Sequence, residues 1–354
     1  MRQMTALIKP ASSTCNLNCS YCFYCDEAEA RSKNADSLMN TQTAKNLISK
    51  MYDFCGENST LTFMFQGGEP LLAGIEFFES FIETVEKLKT NGTNVFYSLQ
   101  TNGTLINEEF CRFFKKNDFL IGVSVDGDKE LHNKNRSDSF DEAMKGIELL
   151  KKHDVNFNIL SVITSQTDAS MLFDFYIRNG FRDVQPIYCL DPLSGEKYSY
   201  SLSAKQLARF KKRMFNLWFS EVSKGNHFYV RDFDNLLSLL TKGYAEQCGA
   251  SGRCNAQLVV EADGTCYPCD FYCLDEFECL NINEADIGDI LKCDGLKKFF
   301  EYDEKKNSLC DSCPVKTLCG GGCKRYRSLY NQLPGYCPQM DFILHAVEKL
   351  KTVR

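Results

Sequence analysis

The feature that most constrains the fold is a regular alternation of apolar runs and helix-like segments between residues 5 and 190. Strand-like runs stand at "TALIKP" (5–10), "LTFMF" (61–65), "NVFYSLQ" (94–100), "FLIGVSV" (119–125), "VNFNILSVIT" (155–164) and "DVQPIYCL" (183–190). Between them, residues 41–54, 75–89, 107–116, 140–152 and 169–179 carry apolar side chains three and four apart. That spacing is the period of an amphipathic helix. Asn40–Thr41 and Asn107 stand where caps would open the first and third of these helices. Strands separated by helices read as βαβ units and a parallel sheet. Six such units either close partly into a barrel or stay an open doubly wound sheet, and periodicity does not choose between them. Residues 203–224 and 232–242 read as helices leading into a tail with short strand signals. One of these is "AQLVVEADGTCYPC", with Asp263-Gly264 as a hairpin turn.

Cysteine usage constrains the chemistry. The chain of 354 residues has 19 cysteines, four at Cys15–Cys25 and twelve between Cys248 and Cys337, with only Cys55, Cys111 and Cys189 in between. Cysteines used for core packing would be scattered more evenly. The start, "MRQMTALIKP", lacks the apolar core of a secretory signal, and no run is long enough to span a membrane. A cytoplasmic protein is expected, and there clustered cysteines mean metal or redox chemistry and not disulfides. The net charge of -6 and the lack of a basic run leave no nucleic-acid footprint.

In "CNLNCSYCFYC", Cys15, Cys19 and Cys22 form C-x3-C-x2-C just after the first strand. Three thiolates can hold three irons of a [4Fe–4S] cube and leave the fourth open to a ligand. The competing reading is a zinc site with Cys25 as fourth ligand. Two glycines in "QGGEP" (66–70) let a ligand approach the backbone, or simply make a turn. The tail adds "CGASGRC", "YPCDFYC" and "CDSCPVKTLCGGGC", then Cys337. Eight of these thiolates suffice for two fully ligated clusters, or for two zinc sites.

With Tyr21 before Cys22, the first motif resembles that of the radical SAM superfamily. The resemblance implies a partial (β/α)6 barrel, a cluster on Cys15, Cys19 and Cys22, and S-adenosylmethionine on the open iron, with Cys25 spare. It implies that Gly67, Gly68 and Glu69 serve the ammonium end of S-adenosylmethionine, and that Ser124, in "SVDG", and Arg136 face its carboxylate. Gln66, Gln100 and Leu190 lie at ends of predicted strands, the rim where barrel sites are built, with loop packing an equal competitor. C-x2-C-x5-C-x3-C at 310–323 resembles the SPASM domain. That likeness implies one auxiliary cluster on Cys248, Cys254, Cys269 and Cys323, and a second on Cys310, Cys313, Cys319 and Cys337. The division expected is a radical SAM barrel with connecting helices over 1–230 and a small cysteine-rich SPASM domain over 231–354.

"LIKPASSTCNLNCSYCFY", "FMFQGGEPLLAG", "YSLQTNGTLI", "CLDPL" and "VVEADGTCYPCDFY" resemble the anaerobic sulfatase-maturating enzymes along nearly the whole chain. The resemblance implies oxidation of a Cys or Ser side chain in a sulfatase C/S-x-P-x-R motif to formylglycine by a 5′-deoxyadenosyl radical. Three [4Fe–4S] clusters, S-adenosylmethionine, and reduced flavodoxin or ferredoxin as electron donor are implied with it. Asp270, in "PCDFY", matches the family's proposed proton acceptor, with loop capping as the alternative. Tyr24 lines the peptide site or packs the loop. Other readings are a thioether-forming radical SAM peptide maturase, an electron carrier with three clusters, and a zinc-stabilised binding module.

Overall fold

The apolar runs become strands because they are short, rich in β-branched and aromatic residues, and bounded by turn residues. The computed structural model describes residues 2–32 and 37–353. Its strands are β1 Gln3–Ile8, β2 Thr60–Phe65, β3 Asn94–Thr101, β4 Phe119–Ser124, β5 Phe157–Ile163, β6 Asp183–Tyr188, β7 Tyr229–Val230, β8 Leu258–Val260 and β9 Cys266–Tyr267. The longer helices through residue 242 are α1 Phe23–Ala30, α2 Thr41–Cys55, α3 Ile75–Leu88, α4 Glu108–Lys116, α5 Lys129–Asn135, α6 Phe140–Lys152, α7 Ala169–Asn179, α8 Ala204–Ser223 and α9 Arg231–Lys242. Along the chain, β1 to β6 are each followed by helix, giving six βα units. The expected caps form: Asn40 accepts from the Thr43 N–H at 2.8 Å, and Asn107 from the N–H groups of Glu109 and Phe110.

Contacts group the chain into two compact units. The first comprises Met1–Ser124, Arg136–Phe157 and Ala256–Tyr302. Its strands run in the order β4-β3-β2-β1-β8-β9. All neighbours are parallel except the β8–β9 hairpin. Ile8 stands between Phe65 and Val260 in the ladder. Against this sheet lies an aromatic core in which Phe65, Phe78, Phe81, Phe114 and Phe119 are buried almost completely. Phe119 stacks on Tyr97 with ring centroids 5.0 Å apart.

The second unit comprises Val125–Asn135, Asn158–Asn255 and Asp303–Arg354. In it β5, β6 and β7 pair in parallel. Helix α8 opens on a capping box between Ser203 and Gln206. It packs by Phe215 on Phe342 of the C-terminal helix Pro338–Leu350.

These units do not divide at residue 230, the boundary expected from the sequence. Residues 256–302 join the first unit because β8 supplies backbone partners to β1. An uncovered edge on β1 would leave a row of unpaired N–H and C=O groups.

Phe119→Ala removes a side chain that stacks on Tyr97 and Phe65. It should cost about 3–5 kcal/mol of stability, measured by anaerobic denaturant unfolding.

Candidate active site

The first three cysteines of the N-terminal motif sit in the loop after β1, and the whole loop is held from the side. Asn18 and Ser137 bond twice, backbone N–H to Oγ and Oγ to backbone carbonyl, each at 3.1 Å. The Asn102 amide donates to Asn16 Oδ1 at 2.9 Å, and Asn16 donates in turn to Thr104. Cys22 stands at the N-cap position of α1 without a side-chain capping bond, and Cys25 lies in that helix's first turn. A hydrogen bond from the Cys25 thiol is the main cause that brings Cys22 down to about 6. Burial pushes Cys15 upward. The Arg136 guanidinium lies over the ring of Tyr21, the aromatic residue of the thiol motif, at 5.5 Å.

The QGGEP segment follows β2 and bonds to the thiol loop strand-fashion. The N–H groups of Gln66, Gly68 and Glu69 donate to the carbonyls of Ile8, Ser12 and Thr14 at 2.7–2.9 Å. A Cβ on Gly68 would stand 2.1 Å from the Thr14 carbonyl oxygen, so only glycine allows this approach. Glu69 is wholly buried. Its carboxylate accepts from the N–H groups of Leu71 and Asn102 and from the Thr101 hydroxyl. Burial raises its pKa to about 7, and these donors only partly offset it. Thr101 and Asn102 were not singled out from the sequence. The readable sign was their place in "QTNG" at the end of β3, beside the expected Gln100. Ser124 is buried at the end of β4. Leu190 lies in the second unit, just past β6, and is also buried.

Asp270 opens the turn after β9 and is the centre of a buried charged cluster within the first unit. Its Oδ2 accepts from Tyr24 Oη at 2.9 Å and from Gln66 Nε2 at 2.7 Å. Both donors are side chains from distant elements, not the loop's own N–H groups. Gln66, expected among the cofactor residues, thus points its amide at Asp270. Lys9 Nζ lies 3.3 Å from Asp270 Oδ1 and 3.2 Å from Glu261 Oε1. Arg31 pairs with the same Glu261 oxygen at 2.9 Å. Burial raises the Asp270 pKa, while Lys9 and Tyr24 pull it back. A carboxylate less acidic than usual and held ionised by a cation is equipped to take up a proton. Lys9, Arg31 and Glu261 were missed in the sequence. The only sign of Lys9 and Glu261 was a charge beside an apolar run, as in "TALIKP" and "LVVEADG", which names no partner, and Arg31 lies in the polar stretch "EAEARSK" with no such sign.

In the second unit, Cys310, Cys313, Cys319 and Cys337 line one cavity together with Asn307, Lys316 and Tyr330. Four thiols around a cavity suit a cluster with four ligands. Cys248, Cys254 and Cys323 are also neighbours there. Cys248 and Cys254 are among the groups acting on Cys323, and a Cβ on Gly249 would lie 2.9 Å from Cys323 Cβ. Gly320, Gly321 and Gly322 all have positive φ, the conformation that lets the chain turn between Cys319 and Cys323. Cys269 belongs to the first unit, between β9 and Asp270. Its neighbours in sequence, Cys266 and Cys273, are fully buried, and the Cys273 thiol lies 3.2 Å from Lys9 Nζ.

Comparison with known proteins places this architecture. The Radical SAM superfamily profile matches residues 10–174, and an iron-sulfur cluster-binding (SPASM) domain matches residues 248–314. These two matches define a radical SAM protein with an added cluster-binding domain, so S-adenosylmethionine and [4Fe–4S] clusters are its cofactors. A cysteine-type anaerobic sulfatase-maturating enzyme of Clostridium perfringens is 39% identical over 100% of this chain and 99% of its own. The solved structure of native anSMEcpe with bound AdoMet superposes with a TM-score of 0.91, at 37% identity over 99% of both chains. That of anSMEcpe with AdoMet and Kp18Cys peptide gives 0.90, at 36% identity and 99% coverage of each. The chain belongs to the family of anaerobic sulfatase-maturating enzymes.

The Glu69 carboxyl titrates higher in the folded protein, at about 7, than its ordinary 4.5. A carboxyl raised on folding stabilises fully below its unfolded pKa, and that stability is lost as pH rises through the folded value. The cofactor-free wild type should therefore lose stability relative to Glu69→Gln between pH 5 and pH 8. Thermal melts of the two proteins across that range measure the difference.

Proposed function

We propose that this protein oxidises a cysteine side chain in a C-x-P-x-R segment of a sulfatase to formylglycine. The carrying observation is a buried carboxylate gripped by side chains, in a chain that matches this family from end to end. The cysteine preference rests on the cysteine-type relative and on its structure with a Kp18Cys peptide. In this reading Cys15, Cys19 and Cys22 hold the cluster that meets S-adenosylmethionine. Cys248, Cys254, Cys269 and Cys323 hold one auxiliary cluster, and Cys310, Cys313, Cys319 and Cys337 the other. Gly67, Gly68 and Glu69 serve the ammonium end of S-adenosylmethionine. Ser124 and Arg136 serve its carboxylate, and Tyr21, Gln100 and Leu190 complete its surroundings. When bound, these groups supply radical hydrogen abstraction at Cβ of the target residue and an acceptor for the electron it then loses.

The chain's own residues complete the oxidation. The Asp270 carboxylate takes the proton that the substrate must lose with that electron. Tyr24 and Gln66 hold its Oδ2 in place before substrate arrives, and Tyr24 lines the peptide site. Burial around Asp270 excludes water that would otherwise compete for the proton. The electron donor is taken to be reduced flavodoxin or ferredoxin. The compartment is taken to be the cytoplasm, whose reducing poise suits 19 cysteines. No helix among the described residues is long and apolar enough to cross a membrane.

Anaerobic incubation with S-adenosylmethionine, reductant and a C-x-P-x-R peptide should yield an aldehyde in place of the thiol, by mass spectrometry. A product that keeps sulfur and loses two hydrogens would mean thioether chemistry instead. The reconstituted protein should bind about 12 irons, as three cubes require. The triple change Cys15→Ala, Cys19→Ala and Cys22→Ala should remove about one third of the iron and all cleavage of S-adenosylmethionine. Stoichiometric zinc in the eight tail thiols of anaerobically made protein would defeat the auxiliary assignment.

Asp270→Asn keeps the size of the side chain and removes the basic carboxylate. Clusters should assemble and 5′-deoxyadenosine should still form. Formylglycine should fall by about 100-fold or more. Loss of an auxiliary cluster in this variant would make Asp270 structural.

A further inference from the structure

Lys9 is among the largest fully buried side chains of the protein, yet nothing in the reaction outlined above uses it. Burying an ammonium group costs several kcal/mol unless partners repay it. Lys9 has those partners. Its Nζ stands 3.2 Å from Glu261 Oε1, 3.3 Å from Asp270 Oδ1 and 3.2 Å from Cys273 Sγ. It also lies 4.7 Å from the centroid of the Tyr24 ring, the residue whose hydroxyl bonds the other oxygen of Asp270. Glu261 is held in turn by Arg31 at 2.9 Å. Two cations therefore share two carboxylates in a line, Arg31–Glu261–Lys9–Asp270.

The contacts divide by oxygen. Tyr24 and Gln66 donate hydrogen bonds to Asp270 Oδ2, whereas Lys9 faces Oδ1 as an ion pair at 3.3 Å and that oxygen accepts no hydrogen bond from the described residues. Two hydrogen bonds on one oxygen leave a carboxylate some freedom about its Cβ–Cγ bond, and a cation beside the other oxygen narrows it. A lysine suits this place because a compact charge with three donors can face two carboxylates and a thiol together, which the flat fork of an arginine does not.

We propose that Lys9, anchored by Glu261 and Arg31, is a positioning residue that restrains the Asp270 carboxylate through an ion pair at Oδ1, opposite the two hydrogen bonds on Oδ2. The role rests on the reading of Asp270 as the proton acceptor. Lys9 keeps its own protons throughout and does not touch the substrate. Its removal therefore changes how often the substrate radical is carried through to product, not whether it forms.

The test measures formylglycine made per 5′-deoxyadenosine, with iron content, cluster spectra, and kcat and KM for the peptide. Lys9→Met should keep the clusters, the rate of 5′-deoxyadenosine formation and the peptide KM. The product ratio should fall about tenfold. Glu261→Gln leaves Lys9 in place but loosens its anchor, and should lower the same ratio by about threefold. In an Asp270→Asn background, neither change should lower the ratio further, because both act through that carboxylate. A general packing role would instead add its own loss in that background and would overturn the proposal. If Lys9→Met does not fold, the Glu261→Gln and Asp270→Asn cycle decides by the same criterion. A normal ratio in Lys9→Met beside a collapsed ratio in Asp270→Asn overturns the positioning role alone. A normal ratio in Asp270→Asn itself overturns the base assignment, and the role of Lys9 with it.

Discussion

Three pairs of residues hold the site together: Ala6 with Leu258, Leu7 with Val259 and Ile8 with Val260, in parallel between β1 and β8. The ladder ends with the Lys9 N–H on the Val260 carbonyl at 2.9 Å. Because both strands run the same way, the residues just past their ends emerge together, and these are Lys9 and Glu261. The antiparallel hairpin to β9 then brings the chain back so that Asp270 arrives at the same place. A slip of one residue would turn every side chain of β8 to the other face. The buried charges meet only in this register, and the register is secured by main-chain bonds and by apolar side chains on both faces of β8.

Two of the unit's buried carboxyl groups, Glu69 and Asp270, have different support. Glu69 is surrounded by N–H and hydroxyl donors, and burial dominates its titration. Asp270 is also raised by burial, but a lysine stands against it. The first arrangement ties the QGGEP turn to the end of β3 and keeps a backbone cradle rigid. The second sets a cation beside a buried carboxylate. Burial raises both carboxyls, and only Asp270 has a lysine against it to pull it back. Both sit at the start of a short turn just past a strand, Glu69 after β2 and Asp270 after β9.

Much of the fold was legible. Six apolar runs became six strands, and five amphipathic segments between them became helices within two residues at either end. The Asp263-Gly264 turn and both asparagine caps formed as read, because each is a local device whose partners lie within a few residues. Helix α1 was not read, since its buried face consists of Glu27 and carries no apolar stripe. The thiol motif and QGGEP were legible as spacings. The charged network was not, because Lys9 and Glu261 lie some 250 residues apart and only the parallel β1–β8 pairing makes them neighbours. Gln66 was read as a strand-end residue near the cofactor, and its bond to Asp270 depends on the same long-range pairing.

The pairing also explains why the expected cut at residue 230 does not separate two independent folds. A chain ending there would keep Lys9 and Arg31, both buried, and lose Glu261 and Asp270, the carboxylates that neutralise them. It would also lose the strand that covers the outer edge of β1. Buried cations without partners and an open sheet edge each disfavour the folded state. The segment that carries Asp270 is thus a structural requirement of the unit that carries the first three thiols, because the same β1–β8 pairing closes the sheet edge and supplies the carboxylates that neutralise Lys9 and Arg31.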